Sequence, residues 1–171
     1  EFLKKYEEKY NYKLKIVDPF KINNKTISSS SIRTLISDGK ILEVNEFIGR
    51  NYNIKGKIIK GESIGRKISF PTANIAIESI DQIIPLNGVY FIKTKIDNIV
   101  FTGMCNIGFN PTISDRKNIS IEVHIFNYNN FDLYGKNVYI EFIDYIRNEK
   151  KFISKEELIK QIETDIKIQY N

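Results

Sequence analysis

A carboxylate and an imidazole alternate with apolar residues in Ile121-Glu122-Val123-His124-Ile125-Phe126. In an extended segment Ile121, Val123 and Ile125 share one face, so Glu122 and His124 share the other. A glutamate placed there is either half-exposed and idle or held for use. If its face lines a cleft beside a nucleotide, Glu122 can serve as a general base that accepts a hydroxyl proton. His124 has no second His or Cys nearby in sequence, which favours a packed or hydrogen-bonded imidazole over a metal ligand.

A second stretch bears on phosphate chemistry. Gly61 and Gly65, with Arg66 and Lys67 adjoining, can fold a loop whose backbone N–H groups surround phosphate oxygens. Read alone, a plain hairpin loop accounts for it as well, and the pattern is not that of P-loop enzymes. Phe70-Pro71-Thr72-Ala73-Asn74 follows. Pro71 stiffens the entry, and in an extended segment the Thr72 hydroxyl and the Asn74 amide project to the same side. Both are hard oxygen donors of the kind that hold Mg2+ already bound to nucleotide phosphates. The combined stretch reads as a site for magnesium nucleotide.

Two further segments have the composition of a ligand wall. Asn106 to Thr112 is polar and contains Gly108 and Pro111, so it reads as a mobile flap over a ligand or as an inert crossover. Arg147 and Phe152 flank the charged link between the last strand and the last helix. They can clamp a flat polar ring by hydrogen bonding and stacking, or belong to a solvated turn with one anchoring Phe.

These residues need a scaffold, and the periodicity supplies one from Tyr52 onward. Ile54 to Ile58 starts a strand; Tyr90, Ile92, Thr94 and Ile96 alternate with Lys93 and Lys95; Asp97-Asn98 reads as a hairpin turn before Ile99 to Gly103. Ile119 to Phe126 and Val138 to Ile146 are further strands. Short strands joined by Gly, Asn and Asp turns, without intervening helices, predict an antiparallel barrel. A C-terminal helix begins at Ser154, whose Ser-x-x-Glu spacing to Glu157 predicts a capping box, and Ile153 with Leu158 predicts a hydrophobic staple. Ile159, Ile162 and Ile166 form its apolar stripe. Upstream, Phe2 to Tyr10 reads as helix and Leu14 to Val17 as a short strand. Ser28 to Ser31 caps a helix that Gly39 stops, and Ile41 to Ile48 is a helix closed by Gly49.

Composition narrows the classes. The 171 residues suit one compact domain with an appendage, and a 42% hydrophobic content supports a real core. No apolar run approaches a bilayer span. One cysteine, Cys105, excludes an internal disulfide framework, and one histidine excludes HExxH and HxGH motifs. A soluble, reducing, cytoplasmic setting is the expectation. The net charge of +5 tolerates nucleic acid, but the lysines are dispersed. A competing reading is a basic β-barrel that binds nucleic acid through Tyr128, Phe131 and Tyr134.

The order of these motifs resembles the bacterial bifunctional riboflavin kinase/FMN adenylyltransferase family. The residues that carry the resemblance are Gly61 to Lys67, Phe70 to Asn74, Pro85 to Tyr90, Asn106 to Gly108 with Pro111-Thr112, Ile121 to His124, Leu133 to Gly135, and Arg147 to Phe152. The resemblance implies a mainly β fold, a six-stranded antiparallel riboflavin-kinase barrel with a C-terminal helix, preceded by a short α/β remnant. Ile27 to Arg33 looks like the Ser/Thr-rich Ile-Arg motif near the end of the adenylyltransferase domain. Residues 1–38 are then expected to be a remnant of that domain, 39–50 a linker helix and 51–171 the kinase domain, and this chain is not expected to adenylylate FMN.

The family also implies a reaction: the ribityl hydroxyl of riboflavin attacks the γ-phosphate of MgATP to give FMN and ADP. Thr72 and Asn74 would hold metal and phosphates, Gly61, Gly65, Arg66 and Lys67 would wrap the nucleotide, and Glu122 would be the base. Asn106, Arg147 and Phe152 would sit at the flavin. Small-molecule substrates, no nucleic-acid or membrane partner and a monomeric state are the accompanying expectations. Ser69, Cys105 and Asn148 depart from the family's usual Gly, Ala and Pro at those positions; none is an expected metal ligand or base.

Overall fold

Alternation with a period of two builds the centre of the molecule. In the computed structural model, which describes residues 2–60, 70–110, 118–128 and 133–168, six strands close into a barrel. They are β3 (Tyr52–Ile59), β4 (Ala73–Ile77), β5 (Gly88–Ile96), β6 (Ile99–Asn110), β7 (Asn118–Ile125) and β8 (Asn137–Arg147), in the order β3-β4-β7-β6-β5-β8. All pairings are antiparallel. Closure through β3 and β8 leaves no free edge to recruit another strand. The expected six-stranded barrel is what the chain forms.

Every second residue turns inward. Ile54 and Ile58, Tyr90 and Ile92, Cys105 and Ile107, Ile121 and Val123, and Ile140 and Phe142 are all buried in one core. The β5–β6 hairpin turns at Asp97-Asn98, both with positive φ (48° and 67°), the type I′ geometry that suits the twist of paired strands. The Cys105 thiol points into this core, where burial first and the Glu122 charge second push its pKa up. It stays protonated and is no nucleophile.

The N-terminal elements are α1 (Phe2–Lys5), α2 (Glu7–Tyr10), β1 (Lys21–Ile22), β2 (Lys25–Thr26), α3 (Ser29–Ser37) and α4 (Ile41–Ile48). The expected strand at Leu14 to Val17 does not form. Ile16 and Val17 are 79% and 76% exposed, so no apolar face among the described residues covers them. The hairpin lies later, turning at Asn23-Asn24, whose side chains tolerate the left-handed backbone found there. Ser28 caps α3 reciprocally with Ser31, and Gly49 closes α4 at φ +67°. Helix α4 packs on the barrel through Ile41 in the shared core, and Asn45 bridges the Phe142 carbonyl (2.9 Å) and the Tyr52 N–H (2.7 Å).

Helix α5 (Lys155–Ile168) follows β8. Ser154 Oγ accepts the Glu157 N–H at 3.2 Å, but the Glu157 carboxylate reaches back to the N–H of Ile153, one residue beyond the expected partner. The staple is absent: Ile153 is 99% exposed. Phe152 turns in over Arg147, and its neighbour is left facing water. Asn106 to Asn110 is also not a loop; it continues β6, because Ile107 is an inward core residue and Asn106 pairs with Glu122 across the ladder. Gly61, Gly65, Arg66 and Lys67 lie outside the described residues, as do Ser69, Pro111, Thr112 and Phe131.

Candidate active site

Residues far apart in sequence meet through the strand register. Asn74 of β4 lies opposite Glu122 of β7, Glu122 opposite Asn106 of β6, Asn106 opposite Val89 of β5, and Val89 opposite Arg147 of β8. Directly opposed residues project to the same face. Ile121 and Val123 turn inward, so this row runs along the outer wall of the barrel. Glu122 and Arg147 stand three strands apart, about 14 Å along the surface at ordinary strand spacing. A cavity of about 330 Å³ lies against the row and is walled on its outer side by α5.

At Glu122 the chemistry is polar. Thr72, just ahead of β4, donates its hydroxyl to Glu122 Oε2 at 3.0 Å. Asn74 shares the Glu122 face by register but does not line the cavity itself. The Thr72 hydroxyl keeps lone pairs free while it donates, so its oxygen and the Asn74 amide oxygen are both of a type that can ligate a hard cation. No cluster of three or more His, Cys, Asp or Glu exists among the described residues. A cation here would therefore lean on groups brought by its ligand, the usual habit of Mg2+.

His124 sits one step along β7, half-buried, its Nδ1 2.9 Å from the Pro71 carbonyl and its ring edge-on to Phe70 and Phe126. It is a packed, hydrogen-bonded imidazole that ties β7 to the segment entering Thr72. Burial lowers its pKa, and the bond to the Pro71 carbonyl opposes this less strongly. Below about pH 6.5, the unfolded value, the unfolded chain gains a proton that folded His124 resists. Stability is thus fully present above that pH and falls as acidification proceeds toward the folded pKa. Thermal melts across pH 5 to 8 should show this loss, and His124→Gln should flatten it; equal slopes would contradict the assignment.

Toward Arg147 the lining of the cavity becomes apolar. Val89 and Met104 form the barrel side, Leu158 and Ile162 the helix side, and Phe152 lies with its centroid 5.9 Å from the Arg147 guanidinium carbon. Asn106 also lines the cavity and donates to Glu149 at 3.2 Å. Asn148 accepts the Tyr145 hydroxyl at 2.6 Å. Of the residues expected from sequence, Thr72, Glu122, Asn106, Arg147 and Phe152 come together around one cavity.

Val89, Met104 and Asp165 were not foreseen. Val89 and Met104 become visible only once the register is known, as the cross-strand partners of Asn106 and His124. Asp165 did carry a signal. It falls seven residues after Leu158 and three after Ile162, a carboxylate set within an apolar helical face.

The chain is 40% identical over 152 residues to the bifunctional riboflavin kinase/FMN adenylyltransferase of Bacillus subtilis, covering 88% of this chain and 48% of that protein. It is 41% identical over 170 residues to the enzyme of the same name from Buchnera aphidicola subsp. Schizaphis graminum, covering 97% and 53%. The chain thus spans about half the length of the curated relatives it matches. A crystal structure described as a macrolide-efflux protein from Streptococcus pneumoniae aligns with a TM-score of 0.88 at 32% identity, over 99% of this chain and 54% of that one. Among the described residues no helix is long and apolar enough to cross a membrane. The Flavokinase (riboflavin kinase) profile matches residues 48–171, the span holding the barrel, the Thr72–Glu122 contact and α5, so this chain belongs to the riboflavin kinase family.

Proposed function

We infer that this chain transfers the γ-phosphate of ATP to the 5′-hydroxyl of riboflavin, giving FMN and ADP, with Glu122 as the base. The observation that carries the residue assignment is the Thr72–Glu122 contact at the mouth of a slot with apolar walls. Thr72 occupies Glu122 Oε2, which leaves Oε1 to accept the proton of the ribityl hydroxyl. The hydroxyl oxygen then bonds to the γ-phosphorus as the bond to the β-phosphate oxygen breaks. Thr72 and Asn74 would hold Mg2+, which when bound offsets charge on the phosphates. Gly61, Gly65, Arg66 and Lys67 are assigned to the nucleotide, and Asn106, Arg147 and Phe152 to the flavin side. Phosphoryl transfer needs little covalent help, so alignment along the barrel wall supplies most of the rate.

The domain reading proposed with it assigns 1–38 to the tail of an adenylyltransferase domain, 39–50 to the connecting helix and 51–171 to the kinase. It is supported by residues 2–26, none of which is buried, and by α4, which packs on the barrel. Adenylyl transfer in the family relies on an HxGH motif, and the one histidine here is His124, so FMN with ATP should yield no FAD. The enzyme is read as a cytoplasmic monomer acting on small molecules, its mass checked by light scattering.

Incubation with riboflavin, ATP and Mg2+ followed by separation of the flavins tests the reaction. FMN should form, and Asn74→Ala should lower its rate at least about tenfold. Absence of FMN together with salt-sensitive oligonucleotide binding would favour the nucleic-acid alternative. Tyr128, one of its proposed aromatics, packs against Phe101 at 5.1 Å and against the core.

A further inference from the structure

Arg147 was expected to reach the flavin, yet its guanidinium is largely committed to protein. Nε donates to both oxygens of Asp165 (3.1 and 2.9 Å), Nη2 lies 2.8 Å from Oδ2, and Nη1 donates to the Asn148 carbonyl at 3.0 Å. Gln161 adds a hydrogen bond to Asp165 Oδ1 at 2.8 Å. Asp165 is 1% exposed, so this is a buried carboxylate held by paired donors. The pair joins the last residue of β8 to the last turns of α5, while Leu158 and Ile162 of the same helix form the outer wall of the slot. Lys150 to Gln161 at 3.0 Å is exposed and adds little.

We propose that Asp165 is a positioning residue for the flavin: by clamping Arg147 it sets where α5 stands, and so the width of the slot that receives the ring. Arg147 acts through this clamp and as a platform for Phe152, not as the main hydrogen-bond donor to substrate. A buried ion pair is a costly way to join two elements that apolar side chains could join. Its directional fork, however, specifies one helix position where a sliding apolar contact would allow several. The assignment rests on the proposed riboflavin reaction for its substrate, but the clamp itself is testable without turnover.

The experiment compares wild type with Asp165→Asn, Arg147→Lys and the double variant. It reads riboflavin affinity by fluorescence, KM and kcat for both substrates, and hydrogen exchange of α5. If loss of the clamp leaves α5 correctly placed about a tenth of the time, the riboflavin Kd and KM rise about tenfold. The KM for ATP and the kcat at saturating riboflavin should then change little. The α5 amides should exchange faster while barrel amides do not. The double variant should be no worse for riboflavin than Asp165→Asn alone, since both substitutions break one interaction. Additive losses would mean that Arg147 contacts the flavin directly and would overturn the proposal. Unchanged α5 exchange, or a fall in kcat with unchanged riboflavin KM, would overturn it too. If wild type binds no riboflavin, the proposed reaction fails, and α5 exchange still decides whether Asp165 holds the helix.

Discussion

Glu122→Gln is expected to reduce kcat for FMN formation by about 10²- to 10⁴-fold, the usual worth of a positioned base. The substitution keeps size, and its side-chain carbonyl can still accept the Thr72 hydroxyl that now bonds Glu122 Oε2 at 3.0 Å. Ile121 and Val123 on either side are buried and untouched, so the barrel should melt as wild type does. The KM for ATP should change little, because lost proton acceptance affects the transition state more than the ground state. Steady-state kinetics with flavin separation, paired with a thermal melt, makes the measurement. A variant with undiminished turnover would remove Glu122 as base while leaving the barrel and its cavity as described.

The largest stability effect is expected at Phe142. This β8 residue is fully buried, edge-on to Tyr90 at a centroid distance of 5.1 Å and stacked near Tyr52 at 6.3 Å. It pairs across the ladders with Tyr52 of β3 and Ile92 of β5, so it sits where the barrel closes. Phe142→Ala should cost about 3–5 kcal/mol, combining lost burial with a cavity that a closed barrel cannot easily collapse. Urea denaturation followed by circular dichroism gives the value; a loss under about 1 kcal/mol would mean the core is not organised around β8. The candidate site should suffer with it, since β8 ends at Arg147 and anchors α5 through Asp165.

Much of this was legible because local rules and tertiary needs agree. The alternation at Tyr90 to Ile96 and Ile121 to Ile125 survives folding intact, since each inward residue finds the same core. The Asp97-Asn98 turn and the Ser28 cap rest on side chains that act within a few residues of themselves. Where the reading went astray, a distant partner had overridden the local signal. Leu14 to Val17 has strand composition but pairs with no strand among the described residues. Asn106 to Asn110 has loop composition but pairs along its whole length with β7, and at Asn106 and Ile107 with β5 as well, so the ladder takes up its backbone groups. Ile153 has the spacing of a staple, yet Phe152 claims the inward position.

Residue types and short-range spacing were enough to single out Thr72, Asn74, Glu122, Arg147 and Phe152 as candidates and to place the strand that carries Glu122, because period-two alternation says which way each side chain must turn, while the order of the motifs favoured their functional reading. Tertiary structure alone decided that Asn74, Glu122, Asn106, Val89 and Arg147 form one row, since which strands pair, and in what register, depends on closing the whole sheet. It alone also turned Arg147 toward Asp165: a guanidinium's partner is chosen by what lies within reach in space, and a separation of 18 positions along the chain does not name that partner.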